Sequence, residues 1–256
     1  MARRCARDPV APIHRLIAAA AIAAACHAAV GTASADPIGI PWRADPGGGP
    51  VTITYSYSNL LDGSFFQLSP TQIRAAVEEA LRLWASYSPI HFVEHPDSGP
   101  AASDAPYAAA DHPLIRFGHH PMDELAHGFI PDGTDNGLNG DIHFETGLPW
   151  TIADGRWDFL ETVTHEIGHA LGLPHETGEP AIMNPMFPQR RFNGLGTAFL
   201  FPADISAIRA LYGTGNGTVQ ALASNPVPEP GAVLLVSSGL GLLLARRRLR
   251  ARARTS

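Results

Sequence analysis

His165-Glu166-Ile167-Gly168-His169-Ala170-Leu171-Gly172-Leu173-Pro174-His175 is the stretch from which the rest of the chain is best read. Two histidines four apart on a helix lie on one face, a turn from each other, so both can reach one metal ion. Glu166 follows the first of them and is placed to act as a base on water at that metal. Gly172 allows a sharp exit from the helix, because glycine accepts the left-handed conformation that a helix C-terminus needs. The exit can return His175 as a third imidazole. His165, His169 and His175 then make a three-ligand zinc set with the fourth tetrahedral position open, the pattern of a catalytic rather than a structural zinc.

A second landmark follows at short range, Ala181-Ile182-Met183-Asn184-Pro185. The long histidine motif followed by a Met-containing turn resembles the metzincin metallopeptidases, with Met183 as the matching methionine. Astacins and serralysins place that turn further downstream, and no glycine-Asp nonapeptide array is present. The short gap from His175 to Met183 resembles the matrixins. Residues 52–55, 80–84, 89–92, 115–117, 125–129, 140–144 and 204–213 look like successive strands and helices of that family. The resemblance implies an α+β fold: a small mixed twisted sheet with three main helices and a zinc cleft beside an edge strand. It also implies a substrate strand that includes Leu125 and Ala126. Pro185-Met186-Phe187 would form a pocket wall favouring a hydrophobic side chain just after the cut.

The resemblance further implies a second, structural zinc held by strand histidines, and His127 and His143 match two of its positions. The family's other two ligands form a His-x-Asp pair. Here the chain reads Gly118-His119-His120-Pro121-Met122-Asp123, so the pair is lost, with His120 and Asp123 as candidate substitutes. The alternative is a pair of exposed strand histidines. For calcium, Asp132, Asp135, Asp141 and Glu145 offer oxygen ligands, but the family's glycine-rich acidic loop is absent. A solvated turn is the competing reading of these residues.

The local patterns agree with this frame. Residues 52–57 alternate like a strand. Ser69-Pro70 starts a helix whose apolar stripe is Ile73, Val77, Ala80, Leu81 and Trp84. Residues 95–112 read as a surface loop rich in Pro, Ala, Ser and Asp. Short strands are expected near 114–117, 126–130 and 141–144, the active-site helix over 158–172 and a last helix over 203–212, stopped by Gly213.

The ends read as addresses. Residues 1–35 form a signal peptide: Arg3, Arg4 and Arg7, an apolar run over 16–25, then Ala33-Ser34-Ala35. A lipidated Cys26 is the alternative. Residues 36–214 form the matrixin-like domain and 215–226 a linker. Residues 227–256 hold Val227-Pro228-Glu229-Pro230, a short apolar run and an arginine cluster. That order resembles the PEP-CTERM sorting tail of Gram-negative bacteria, which implies an exosortase partner and release or attachment at the cell envelope. A plain tail anchor competes, although the run is shorter than the roughly 20 residues that span a bilayer.

Both cysteines, Cys5 and Cys26, lie in the leader, so the body has no thiol to ligate the zinc as a pro-segment cysteine does in many matrixins. All 18 basic residues are arginine, and four lie in the leader and six in the tail, leaving eight in the body. Of the 24 acids, all but Asp8 and Glu229 lie in the body, which is therefore near −14. Such a charge disfavours nucleic acid as a partner. The sequence thus points to an exported zinc endopeptidase with Glu166 as its base and proteins or peptides as substrates. A metal-stabilised, catalytically inactive binding module is the competing reading, and the intact Glu166 argues against it.

Overall fold

Val51–Tyr57 forms strand β1, with Val51, Ile53 and Tyr55 buried at alternate positions. Helix α1 (Pro70–Ala85) follows. Ser69 caps it by accepting the Gln72 N–H, and the Gln72 side chain accepts the Ser69 N–H in return. This reciprocal box satisfies two otherwise orphaned donors. The whole expected stripe of α1, from Ile73 to Trp84, is buried. Strands β2 (Ile90–Glu94), β3 (Ile115–His120), β4 (Ala126–Gly128) and β5 (Ile142–Glu145) come next, then α2 (Phe159–Ala170), α3 (Pro202–Tyr212) and β6 (Thr218–Gln220). The computed structural model describes residues 40–42 and 50–222, apart from 66, 108, 110, 135, 153–156 and 186–191. The expected signal peptide, the PEP-CTERM-like tail, Asp135, Met186 and Phe187 lie outside the described residues.

The strands form one mixed sheet in the order β4-β5-β3-β1-β2-β6. All pairs are parallel except β4 with β5. Parallel neighbours need a crossover, and α1 supplies it between β1 and β2. β4 is therefore an edge strand of three residues beside the active-site helix, as expected. Helix α2 packs against α1, β4 and β5, and all twelve of its residues are buried. Phe65, Phe144, Trp150 and Phe159 interlock around its first turn, with ring centroids 4.9–6.2 Å apart.

Two sequence expectations change. Residues 215–226, expected as a linker, contain β6, which pairs with β2 through Phe92 and Val219. Gly217 permits this arrival: a Cβ there would lie 1.6 Å from the Ile90 carbonyl oxygen. Beyond β6, the Leu222 N–H bonds the Glu94 carboxylate at 2.8 Å. β3 also runs on to His120, which puts His119 and His120 in a strand rather than in a loop. His119 turns to Ser64, Asp62 and Thr146, whereas His120 faces β5.

A buried guanidinium fastens the long β2–β3 connection. Arg116, 2% exposed, lies 2.9 Å from Asp97 and 3.7 Å from Asp141. The Tyr107 ring covers it at 4.6 Å. Burial tends to raise the Asp97 pKa, but the Arg116 and Ser56 hydrogen bonds outweigh it and hold the carboxyl below its usual value. A depressed folded-state pKa gives stability that is complete above the unfolded value and lost as pH falls through the folded one. The gap in thermal midpoint between wild type and Asp97→Asn should therefore be constant near pH 6 and shrink as pH drops below about 4. A gap that widens on acidification would contradict this assignment.

Candidate metal centres

Helix α2 begins at Asp158, whose carboxylate accepts the Glu161 N–H. It ends in a glycine turn: Gly172 has φ 93°, its N–H bonds the His169 carbonyl, and the Leu173 N–H bonds the Gly168 carbonyl. This two-bond closure is the Schellman arrangement, and it swings His175 back towards the helix. Outside residues clamp the helix. The Trp84 indole donates to the Thr164 carbonyl at 2.9 Å and the Trp42 indole to the Ala170 carbonyl at 2.8 Å. The Tyr212 hydroxyl donates to the Leu171 carbonyl at 2.9 Å. The Ala170 and Leu171 carbonyls belong to the helix end that has no intrahelical donor.

His165, His169 and His175 converge, with ring centroids 4.7–5.4 Å apart. His165 Nδ1 lies 2.7 Å from the Ile182 carbonyl and His169 Nδ1 lies 2.8 Å from the Leu173 carbonyl. A carbonyl only accepts, so each Nδ1 carries the proton and each Nε2 presents a lone pair. His169 Nε2 then faces His175 Nε2 at 3.1 Å. Lone pairs aimed at one point suit a cation, and backbone carbonyls behind ligating imidazoles are a common support for one. The donor set fits zinc.

Glu166 is buried beside this triad. Burial, with a smaller contribution from the Glu124 charge, pushes its pKa up to about 8, and a hydrogen bond from the Gly128 N–H works the other way. Gly128 lets β4 come this close: a Cβ there would lie 2.6 Å from the Glu166 carbonyl oxygen. Met183 of the Met turn packs against the helix at Gly168, between His165 and His169. A Cβ on Gly168 would meet the Met183 sulfur at 2.2 Å and the Trp84 ring at 3.1 Å. Gly168→Ala should therefore displace Met183 or the helix and lower the thermal midpoint by several degrees, at about 1–3 kcal/mol for overpacking. An unchanged midpoint in a melting experiment would refute that contact.

His127 and His143 meet in a second cluster, joined by His120. They are direct partners across β4 and β5. His143 Nδ1 lies 3.1 Å from His127 Nε2 and 3.3 Å from His120 Nε2. The outer nitrogens are engaged: His127 Nδ1 with Glu124 at 2.7 Å and His120 Nδ1 with the Pro121 carbonyl at 3.0 Å. Both Nε2 atoms therefore face inwards as acceptors. His143 is fully buried, and its Nε2 has no hydrogen-bond partner, with Asp141 at 3.9 Å. The carboxylate that joins these rings is Asp104, not the expected Asp123. Asp123 is not among the residues whose ligand atoms converge there.

The oxygens proposed for calcium have protein donors or cations beside them. Asp132 accepts from Thr134 and Asn139, Asp141 pairs with Arg116, and Glu145 accepts from Met122 and Gly147.

A family model described as matrixin matches residues 42–213. The chain belongs to the matrixin family. Human matrix metalloproteinase-20 is 34% identical over 163 residues, covering 63% of this chain and 31% of that protein. Rat stromelysin-3 is 35% identical over 156 residues (58% and 28%), and human neutrophil collagenase 31% over 165 (64% and 32%). The matched part is thus under a third of each relative's own length. The matrixin body found here is the α+β arrangement expected, with the sheet, three helices and both histidine clusters in place. Asp104 and Asp204 were missed in the sequence. Asp104 sits in a low-complexity loop with no motif around it. Asp204 is 1% exposed and accepts the Ile182 and Met183 N–H groups at 2.8 and 3.1 Å, a contact between distant segments.

Proposed function

We propose that this matrixin is an exported zinc endopeptidase that hydrolyses peptide bonds in proteins. The observation that carries the reading is the convergence of the His165, His169 and His175 imidazoles beside a buried Glu166, next to an edge strand. A zinc ion in that cradle supplies Lewis acidity towards the scissile carbonyl and acidifies a neighbouring water towards a pKa of about 7. Glu166 takes the water proton at its carboxylate and delivers it to the leaving amine. Burial raises the Glu166 pKa, and a cation held beside it would favour the ionised carboxylate that can accept the proton. β4 pairs with β5 along one side and ends the sheet on the other, so an extended peptide can add there by backbone hydrogen bonds.

The second cluster holds a structural zinc through His120, His127 and His143. Export rests on the basic and apolar leader of residues 1–35. Sorting to the envelope of a Gram-negative bacterium, with an exosortase as processing partner, rests on the order of residues 227–256. Incubating the zinc-loaded protein with a mixed peptide library and mapping the new termini tests the activity. Internal cuts preceding a hydrophobic residue are expected. Binding of peptides without any new terminus would instead favour the inactive-module reading.

A further inference from the structure

We propose that Asp104 is the fourth ligand of the second histidine cluster. The metal there then fastens the β2–β3 loop to the substrate-side edge strand. This rests on the reading that His120, His127 and His143 hold a metal ion.

The donor spacings are close to those around a tetrahedral ion. Zinc bonded at about 2.0–2.1 Å sets its donors roughly 3.3–3.4 Å apart. Asp104 Oδ1 lies 3.4 Å from His120 Nε2, 3.5 Å from His127 Nε2 and 3.7 Å from His143 Nδ1. The ring nitrogens are 3.1 and 3.3 Å apart along the two edges that include His143. The Asp104 oxygen faces the His120 and His127 lone pairs at 3.4 and 3.5 Å, acceptor against acceptor, an approach that a shared cation relieves. Three imidazoles with one carboxylate and no open position suit a structural zinc.

Asp104 is presented by a loop that is seated on the sheet rather than loose. Its root is the Asp97–Arg116 pair. Ala102, 5% exposed, lies on Gly118 of β3, where a Cβ would approach the Ala102 methyl to 2.1 Å. On the far side, Tyr107 covers Arg116, and its N–H bonds the Gly137 carbonyl at 3.1 Å. The side chain of Asp104, 68% exposed, stands between these anchors. The same guanidinium approaches Asp141 behind His143, so the loop root and the support of the buried ligand share one cation.

This strap reaches the catalytic side through β4. His127 is the middle residue of that strand, and the next residue, Gly128, donates to Glu166. β4 has only three residues and one sheet neighbour, so an ion gripping its centre adds substantially to what holds it. Losing the ion should loosen β4 and weaken substrate pairing more than it alters turnover, raising KM more than it lowers kcat.

The test is zinc titration of the full protein and of Asp104→Ala, Asp123→Ala, His120→Ala and His127→Ala, with hydrogen exchange followed over residues 99–107 and 125–128. Wild type and Asp123→Ala should bind two zinc ions. Asp104→Ala should bind the second at least about tenfold more weakly, with faster exchange in both segments. If Asp104→Ala keeps the second zinc at full affinity while His120→Ala loses it, Asp104 is not a ligand, although the histidine site stands. If both histidine variants keep two ions, the second-site reading itself fails. Lost zinc with unchanged exchange would overturn the strap while leaving Asp104 a ligand.

Discussion

Glu166→Gln is expected to keep its zinc and lose its peptidase activity, with kcat falling by about 10²–10⁴-fold. The amide has the shape of the carboxylate but cannot take up a proton from water. The three imidazoles are held from behind by the Ile182 and Leu173 carbonyls and by the Schellman turn at Gly172, none of which involves the Glu166 side chain. The ion should therefore stay. Removing a raised-pKa carboxyl from a buried site also relieves its desolvation, so the variant should be at least as stable as wild type. Metal content, melting temperature and initial rate on a quenched peptide, taken on one preparation, check all three statements. Near-normal turnover would sink Glu166 as the base.

Asp204→Ala is expected to cause the largest loss of stability. The Asp204 carboxylate accepts the N–H groups of Ile182, Met183 and Phe201 at 2.8–3.1 Å. It thereby ties the Met turn to the first turn of α3. Each buried donor left unpaired costs about 1–3 kcal/mol; two of the three are fully buried and the Phe201 N–H only partly so, so roughly 3–5 kcal/mol is expected in all. For a domain of this size that is a fall in thermal midpoint of roughly 6–20 °C. Catalysis should fall too, because the Ile182 carbonyl is what orients His165. Asp204→Asn keeps one acceptor oxygen and should sit between the two. A thermal melt of Asp204→Ala within about 2 °C of wild type would mean that the turn is held by something else.

The His165, His169 and His175 cluster was legible because its residues are local. His165, Glu166 and His169 lie on adjacent turns of one helix, and Gly172 announces the turn that returns His175. The helix boundaries were legible for a similar reason: Ser69-Pro70, Asp158 and Gly213 are caps whose chemistry is written in one or two residues. What the sequence hid is contact between distant segments. Asp104 meets His120, His127 and His143 only because Gly118 gives Ala102 a seat, and nothing in an Ala-, Ser- and Pro-rich loop signals that. Asp204 reads as an ordinary acid in the first turn of a helix, but its partners lie in the Met turn. β6 escaped because three residues with one half-buried side chain carry no usable alternation. Its position is set by pairing with β2 and by the space that Gly217 leaves.

The loop of residues 95–112 shows most clearly how composition misleads. It looks like solvent-facing chain, and most of it is exposed. Yet Asp97 pairs with a guanidinium that is 2% exposed, and Ala102 is itself buried. The charged residue that organises it, Arg116, lies in the strand that follows. The fold covers that arginine with Tyr107.

Cleavage is expected to depend on an ion held by His165, His169 and His175. The direct measurement is hydrolysis of an unfolded protein substrate, with zinc content followed on the same sample as a chelator strips the metal and added zinc restores it. Activity should fall with the loss of zinc and return when it is restored, while Glu166→Gln should rebind zinc and stay inactive. Undiminished cleavage by the metal-free protein, or a fully zinc-loaded wild type that cuts nothing, would contradict it.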